Sequence, residues 1–250
     1  MSELSFQLYS ARNVTSLGDF IDGLASLGYR QVEGFGGLYA DADSLAARLK
    51  QNAITMPTGH FGLDQIEDTS SALKIAETLG VKRIYCPWIA PEQRGTADAS
   101  WVQLAEPLAK AAEAFTAEGY GFGWHNHDFE FVPTSSGRLP MDIILETAPK
   151  LEWECDVAWM VRGKVDPLDW FDRHGSRVSA VHVKDIAVAG EALDEDGWAD
   201  VGHGVLAWET LFGKVKEKTK VQYFVAEHDA PSDPMRFARR SMETWSSWAV

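Results

Sequence analysis

Four apolar runs in the second half of the chain each lead into a residue of a type that binds divalent metal ions. These residues are His125, Asp156, His182 and Glu227. If the runs are neighbouring strands of a parallel barrel, their C-terminal ends lie on one rim, and the four side chains converge there. Two imidazoles and two carboxylates would then form a divalent-metal site. Each residue by itself is more often a helix cap or a hydrogen-bonded packing residue, so the prediction depends on the set.

Strand and helix patterns alternate along the whole chain, and no linker suggests a domain boundary. Eight strand–helix units favour an α/β fold, a single (β/α)8 TIM barrel over residues 1–250, rather than an open doubly wound sheet. The predicted strands are Leu4–Leu8, Arg30–Glu33, Ile54–Thr58, Arg83–Cys86 and four that end at His125, Asp156, His182 and Glu227. The predicted helices run from Thr15 or Ser16 to Leu27, from Asp43 or Ser44 to Gln51, from Asp68 or Thr69 to Leu79, and over Ser100–Glu118, Met141–Thr147, Pro167–Arg173, Trp208–Lys218 and Pro234–Trp248. Pro107 predicts a kink in the fourth helix or a later start, and Ile186–Leu206 is expected to be irregular.

Composition excludes several classes of protein. No stretch approaches the roughly 20 apolar residues of a membrane span, and the N-terminus lacks the pattern of a signal peptide, so we expect a cytoplasmic protein without a membrane partner. A formal charge of -14 argues against nucleic acid as a partner. Cys86 and Cys155 lie in predicted strands and are expected to be buried free thiols. The segment Gly34–Gly37 lacks the spacing of a dinucleotide-binding loop, which argues against a nicotinamide cofactor.

The chain resembles, over almost its whole length, the xylose-isomerase-like (β/α)8 barrels, which include sugar phosphate isomerases and epimerases, inosose dehydratases and apurinic-site endonucleases. The motifs that carry the resemblance are Trp124–Phe131, Asp156–Trp159, His182–Asp185, Val201–Gly204 followed by Trp208, and Glu227–Asp229. The first looks like the branch with a His-Asn-His-x-x-Glu-Phe signature. Two positions depart from the common family pattern: His125 replaces a glutamate ligand, and His203 replaces the glutamate of a Gly-Glu-Gly motif.

The resemblance implies a divalent-metal-dependent isomerase or epimerase that acts on a small sugar or keto-sugar. The expected reaction abstracts a proton next to a carbonyl and passes through a metal-stabilised enediolate. Mn²⁺ is favoured for the mixed nitrogen and oxygen ligands, with Co²⁺, Fe²⁺, Zn²⁺ or Mg²⁺ as the other candidates. Glu227 is expected to act both as a ligand and as a proton carrier.

The second proton carrier is left open by the sequence. Glu154 shares the inward side of its strand with Asp156, either for direct chemistry or to orient a ligand, and His60 lies at the end of the third strand. Lys184 follows His182 by two residues, so its ammonium is expected to stabilise an oxyanion or hold a substrate anion, with a surface salt bridge as the alternative. The candidate substrate-binding residues are Glu33, at the end of the second strand, His127, Glu130, Trp159 and His203. Helix capping is the alternative for Glu33, and support of the site is the alternative for His127 and Glu130.

Three other functions remain open at this stage. A lyase or dehydratase would use the same enolate, as in inosose dehydration or the cleavage of 3-keto-glycosides. A barrel that binds carbohydrate or a partner without catalysis would retain the fold alone. An apurinic-site endonuclease is disfavoured by the negative charge and by too few additional strand-end ligands. Barrels of this family often pair, so a homodimer is possible.

Overall fold

A computed structural model describes residues 3–248, in which parallel strands close into an eight-stranded barrel. The strands are β1 (Leu4–Gln7), β2 (Gln31–Phe35), β3 (Thr55–His60), β4 (Arg83–Cys86), β5 (Gly121–His125), β6 (Glu152–Asp156), β7 (Val178–Val183), β8 (Asp185–Ile186), β9 (Trp198–Ala199) and β10 (Tyr223–Ala226). β1 to β7 follow one another around the barrel, and β10 closes it between β7 and β1. The predicted (β/α)8 architecture is confirmed.

Helices cover the outside of the barrel. They are α1 (Leu17–Ser26), α2 (Ala42–Gln51), α3 (Leu63–Glu67), α4 (Thr69–Leu79), α5 (Asp98–Ala117), α6 (Pro140–Thr147), α7 (Val157–Arg162), α8 (Pro167–His174), α9 (Trp208–Lys218) and α10 (Pro234–Trp248). Because both faces of the strands are covered, strand residues are buried on either side, as in β7, where all of Val178–Val183 are buried. Among the described helices, none combines the length and hydrophobicity needed to cross a bilayer.

The register between strands determines which polar side chains meet inside the barrel. His125 lies opposite Glu154 in the pairing of β5 with β6, and Asp156 lies opposite His182 in the pairing of β6 with β7. Side chains alternate along a strand, so Glu154 and Asp156 point the same way while Cys155, between them, points the other way. Cys155 is buried and unpaired, as predicted. The staggered strands of the barrel thus place two layers of polar residues at its C-terminal end.

Pro107 does not interrupt the long helix. α5 runs continuously over Asp98–Ala117, and it begins two residues before the predicted Ser100. Pro107 lies on the exposed side of α5, where the missing N–H removes a single hydrogen bond next to water. The later start predicted from this proline is therefore wrong.

Two short helices and a hairpin were not predicted. α3 precedes α4, and α7 begins directly after Asp156, whose Oδ1 accepts a hydrogen bond from the backbone N–H of Trp159 at 2.9 Å. Helices of five or six residues are too short to show a hydrophobic period. The stretch expected to be irregular contains β8 and β9, which pair antiparallel outside the barrel.

The segment between β8 and β9 is packed against α10 by ion pairs. Glu195 Oε1 and Oε2 accept hydrogen bonds from Arg236 Nη1 and Nη2 at 2.9 and 3.0 Å, and Ser232 N donates to Oε1 at 2.7 Å. Asp200 accepts from Arg236 and Arg240. Glu195 and Asp200, both in the stretch expected to be irregular, are therefore buried and paired.

Glu195→Gln is expected to destabilise the protein by about 2 kcal/mol at pH 7, because it removes charge-assisted hydrogen bonds. Burial alone would raise the pKa of Glu195, but hydrogen bonds from Arg236 and Ser232 lower it to about 2. Because the pKa of Glu195 is lower in the folded protein than in the unfolded chain, its carboxylate stabilises the folded protein at pH values above about 4.5. This stabilisation is lost as the pH falls from about 4.5 towards 2. The difference in the free energy of unfolding between wild type and Glu195→Gln, measured with urea, should decrease over this pH range.

Glu191→Gln, an exposed change in the same segment, is the control and should be neutral. If the difference in the free energy of unfolding between wild type and Glu195→Gln stays constant between pH 6 and pH 3, the ion pair of Glu195 does not contribute as described.

Candidate metal centre and active site

The four residues predicted as metal ligands lie together at the C-terminal end of the barrel. His125, Asp156, His182 and Glu227 are all buried, and each offers one ligand atom that lies within 4.8 Å of the others. One carboxylate oxygen of this group already has a partner, because Asp156 Oδ1 accepts the hydrogen bond that caps α7. Its Oδ2 is buried and accepts no hydrogen bond from residues 3–248, although Lys184 Nζ lies 3.4 Å away. Two nitrogen and two oxygen donors, with one buried carboxylate oxygen unused, suit a divalent metal.

A second layer lies directly beneath this group and centres on Glu154. Its Oε2 is 2.5 Å from His60 Nε2, 3.1 Å from His125 Nδ1 and 3.3 Å from His182 Nε2. His60, His125, Glu154 and His182 also have ligand atoms within 4.8 Å of one another. Burial alone would raise the pKa of Glu154, but His182 and His60 hold it well below its usual value. This shift favours the ionised form of Glu154, which can accept hydrogen bonds from the neighbouring imidazoles.

His182 has a carboxylate on each ring nitrogen. Its Nδ1 lies 2.9 Å from Glu227 Oε2, and its Nε2 lies 2.8 Å from Glu33 Oε1. Burial alone would lower the pKa of His182, but Glu154 and Glu227 raise it well above its usual value. Without a metal, this shift favours the protonated ring, and a bound divalent ion would take the place of that proton.

Glu33 lies inside β2 rather than at its end, because the strand continues to Phe35. Its Oε1 accepts a hydrogen bond from Gln7 Nε2 at 2.8 Å and lies 3.2 Å from His60 Nε2. The side chain is fully buried, and Glu33 is not among the described residues that line the cavity above. In this structure Glu33 contacts other site residues and caps no described helix.

Lys184 is fully buried and holds three carboxylates. Its Nζ donates to Asp229 Oδ2 at 2.8 Å and to Glu227 Oε2 at 3.1 Å, in addition to the contact with Asp156. The alternative of a surface salt bridge is wrong, because the side chain has no exposed area. Lys184 balances part of the negative charge of the site and fixes the position of Glu227.

Above these layers is a cavity of about 680 Å³. His60, His125 and Glu227 line its base, with His127, Trp159 and Asp229 nearby. The pKa of Asp229 is raised to about 6 by burial, against the lowering effect of Lys184. Burial and the neighbouring His182 lower the pKa of His125 to about 4, so its ring is neutral and can donate an electron pair to a metal.

The loop after β5 is held by Glu130. Its Oε1 accepts from Trp124 Nε1 and its Oε2 from the backbone N–H of His127, both at 2.8 Å. Glu130 is buried and supports the loop, whereas His127 and Trp159 line the cavity with their rings 5.2 Å apart. His127 Nδ1 and Trp159 Nε1 are buried atoms without a hydrogen-bond partner among the described residues.

The structure does not bring His203 to the site. The residue is exposed, its Nε2 lies 3.5 Å from Thr244 Oγ1 on α10, and it is not among the described residues that line the cavity. Gly202 before it has a φ of 78°, a left-handed conformation that favours glycine, and lies against the side chains of Thr244 and Trp248 on α10. We therefore assign His203 no substrate contact.

Asp229 and Gln7 are site residues without a role in the sequence prediction. Asp229 follows Glu227 by two residues, so the strand period could have indicated it. Gln7 lies at the end of β1 and reaches Glu33 and, at 3.4 Å, His60 Nδ1. Nothing in the local sequence marks that contact, which joins strands far apart in the chain.

Residues 21–248 match the model of a protein family described as xylose isomerase-like TIM barrel. The chain is 24% identical over 260 residues to an inosose dehydratase from Geobacillus kaustophilus (strain HTA426), covering 88% of this chain and 83% of that protein. A crystal structure of a sugar phosphate isomerase/epimerase from Parabacteroides distasonis ATCC 8503 has a TM-score of 0.80 at 18% identity, covering 97% and 92% of the two chains. A structure of the IolI protein with a binding zinc atom has a TM-score of 0.77 at 14% identity, covering 99% and 96%.

Proposed function

This chain belongs to the xylose isomerase-like TIM barrel family, and we propose that it is a divalent-metal-dependent isomerase or epimerase of a small sugar or keto-sugar. The observation that carries the proposal is the set of four buried strand-end ligands at the base of an open cavity. Proton transfer next to a carbonyl requires a metal or other electrophile beside a positioned base. The base of this cavity offers the residues for both.

We propose Mn²⁺ as the ion, held by His125, Asp156, His182 and Glu227. When bound, such an ion polarises a carbonyl and stabilises negative charge on the neighbouring oxygen. Glu154 beneath it would orient the His125 and His182 rings, as carboxylates next to ligating histidines commonly do. Lys184 would hold Glu227 in place.

Glu227 is the proposed proton acceptor. It lines the cavity, and although burial would raise its pKa, Lys184 and His182 hold the pKa well below its usual value, so the carboxylate is ionised. Its carboxylate would take the proton from the carbon next to the carbonyl.

His127 is the proposed second proton carrier. Burial and the nearby His125 lower the pKa of His127 well below its usual value, which leaves a neutral ring. The residue lines the cavity, and its buried Nδ1 has no hydrogen-bond partner among the described residues. His60 and Glu154 were candidates for this role, but the ring nitrogens of His60 already contact Gln7 and Glu154. We assign both to the support of the site.

A lyase is the second candidate. The similarity to an inosose dehydratase favours it, since dehydration begins with the same abstraction of a proton next to a carbonyl. The two reactions differ only after that step: the isomerase returns the proton to carbon, whereas the lyase expels a group from the β-carbon.

The test is incubation of the Mn²⁺-loaded protein with candidate ketoses and inososes in deuterated water. Incorporation of deuterium without an unsaturated product supports the isomerase, and release of an unsaturated product supports the lyase. His127→Gln should slow either reaction about 100-fold or more, whereas His203→Gln, an exposed histidine away from the cavity, should not. Absence of both exchange and elimination across the set of substrates would contradict the proposal.

A further inference from the structure

The outer part of the cavity differs in chemistry from its base. The base carries charged and hydrogen-bonding groups, whereas the outer lining carries aromatic rings and two arginines, together with Asp128 and Asp196. One sugar fills only part of a cavity of about 680 Å³, a volume within the range of sites for drug-sized ligands. The rim therefore has space for a second group attached to the carbohydrate.

One wall of the rim consists of Trp88, Arg94 and Phe129, from the loops after β4 and β5. The Arg94 guanidinium carbon lies 3.7 Å from the centroid of the Phe129 ring and 5.3 Å from that of Trp88. Arg94 Nε and Nη2 donate to Ile89 O at 3.2 and 3.0 Å, which fixes the guanidinium plane. Between residues 3 and 248 no carboxylate forms an ion pair with Arg94, although the chain is strongly acidic.

A second wall consists of Tyr9 and Arg12, from the loop after β1, and Phe35, the last residue of β2. The Tyr9 and Phe35 rings are nearly perpendicular, with centroids 5.3 Å apart, and the Arg12 guanidinium carbon lies 4.1 Å from the Tyr9 centroid. Planar rings and flat guanidinium groups at this spacing are complementary to another planar ring.

The rim of the cavity also holds exposed aromatic side chains. In the described part of the chain, Trp88 at 46% and Tyr9 at 38% are the aromatic residues among the large exposed hydrophobic side chains, and both line this one cavity. Aromatic surface left in water is unfavourable, and a bound ring would cover it.

We propose that the rim of the cavity is a subsite for a planar aromatic group joined to the carbohydrate, as in an aryl glycoside. Trp88 supplies the exposed stacking face, and Arg94, which the Phe129 ring supports from below, supplies a flat and positively charged surface at the bound ring. The proposal rests on the proposed function in one respect: the sugar itself occupies the base of the cavity, next to Glu227.

Calorimetric titration of the full-length, Mn²⁺-loaded protein tests the subsite. The ligands are the methyl and phenyl β-D-glucopyranosides, the methyl and phenyl β-D-galactopyranosides, and cellobiose. In at least one sugar series the phenyl member should bind about tenfold more tightly than the methyl member. Trp88→Ala and Phe129→Leu should each reduce this preference to about twofold, whereas Val205→Ala, an exposed apolar change away from the cavity, should leave it unchanged.

Several results would overturn the subsite. The first is equal affinity for the methyl and phenyl members in both series, and the second is a phenyl preference that persists in both rim variants. The third is an affinity for cellobiose, relative to the methyl glucoside, that matches or exceeds that of the phenyl glucoside and depends on Trp88. The last would indicate a subsite for a second pyranose. If Trp88 controls phenyl binding but Glu227→Gln does not weaken the methyl members, the subsite stands and the proposed function fails. If Glu227→Gln weakens binding of the methyl members but the protein shows no phenyl preference, the proposed function stands and the subsite fails.

Discussion

Glu227→Gln is expected to lower kcat by about 10³-fold or more, because one substitution removes both a charged metal ligand and the proposed proton acceptor. Glutamine keeps the size of the side chain but cannot take a proton at neutral pH. Its uncharged oxygen is also a weaker ligand, so metal retained after dialysis should fall as well. Exchange of deuterium into substrate measures the first effect, and elemental analysis of the dialysed protein measures the second.

Glu209→Gln is the matched control, because Glu209 is an exposed glutamate in the first turn of α9. It should retain the activity and metal content of wild type. A Glu227→Gln protein that folds and exchanges deuterium within about tenfold of the wild-type rate would contradict the role of Glu227.

Lys184→Met is expected to destabilise the metal-free protein by about 3–5 kcal/mol, the usual effect of removing one partner from a buried ion pair. The physical reason is the set of carboxylates that Lys184 holds: Asp229 and Glu227 lose a hydrogen-bond donor, and Asp156 loses a nearby positive charge. Chemical unfolding in the presence of a chelator measures the loss. Added Mn²⁺ should recover part of it, because the ion restores positive charge among the same carboxylates.

Lys214→Met provides the control, since Lys214 pairs with Glu217 on the exposed surface of α9 and should change stability by about 0.5 kcal/mol or less. Lys184→Arg keeps the charge and shows whether a large loss comes from charge or from packing. Equal stability of Lys184→Met and Lys214→Met would show that the buried ion pairs contribute nothing.

The barrel and the convergence of the four candidate ligands on one rim followed from local signals. Each of His125, Asp156, His182 and Glu227 comes at or next to the end of a strand in the structure, and strand ends can be read from apolar runs of a few residues. Residues at the ends of these strands then lie close together, because the C-terminal ends of the strands of a parallel barrel share one rim. No long-range information was required for that step.

The layer beneath the ligands could not be predicted in the same way. The contact of Glu154 with His60 depends on the stagger of strands that are separated by 94 positions in the chain. Glu33 was predicted to end its strand, whereas β2 continues through Gly34 to Phe35. Strand boundaries are the least reliable part of such a prediction.

Loops account for the other differences. His203 was given a substrate contact because of its place in a Gly-x-Gly motif, yet it is exposed near Thr244 and is not among the described residues that line the cavity. Conversely, nothing in the loops after β1 and β4 indicated that Tyr9 and Trp88 would line one cavity. Loop conformation depends on tertiary contacts rather than on a repeating pattern.

Anomalous X-ray scattering from crystals of the Mn²⁺-loaded protein, recorded on both sides of the manganese edge, tests the metal centre most directly. We predict one peak within about 2.3 Å of ligand atoms from His125, Asp156, His182 and Glu227. A peak coordinated instead by His60 and Glu154 in the lower layer, or no peak from a protein saturated with manganese, would contradict the assignment of the site.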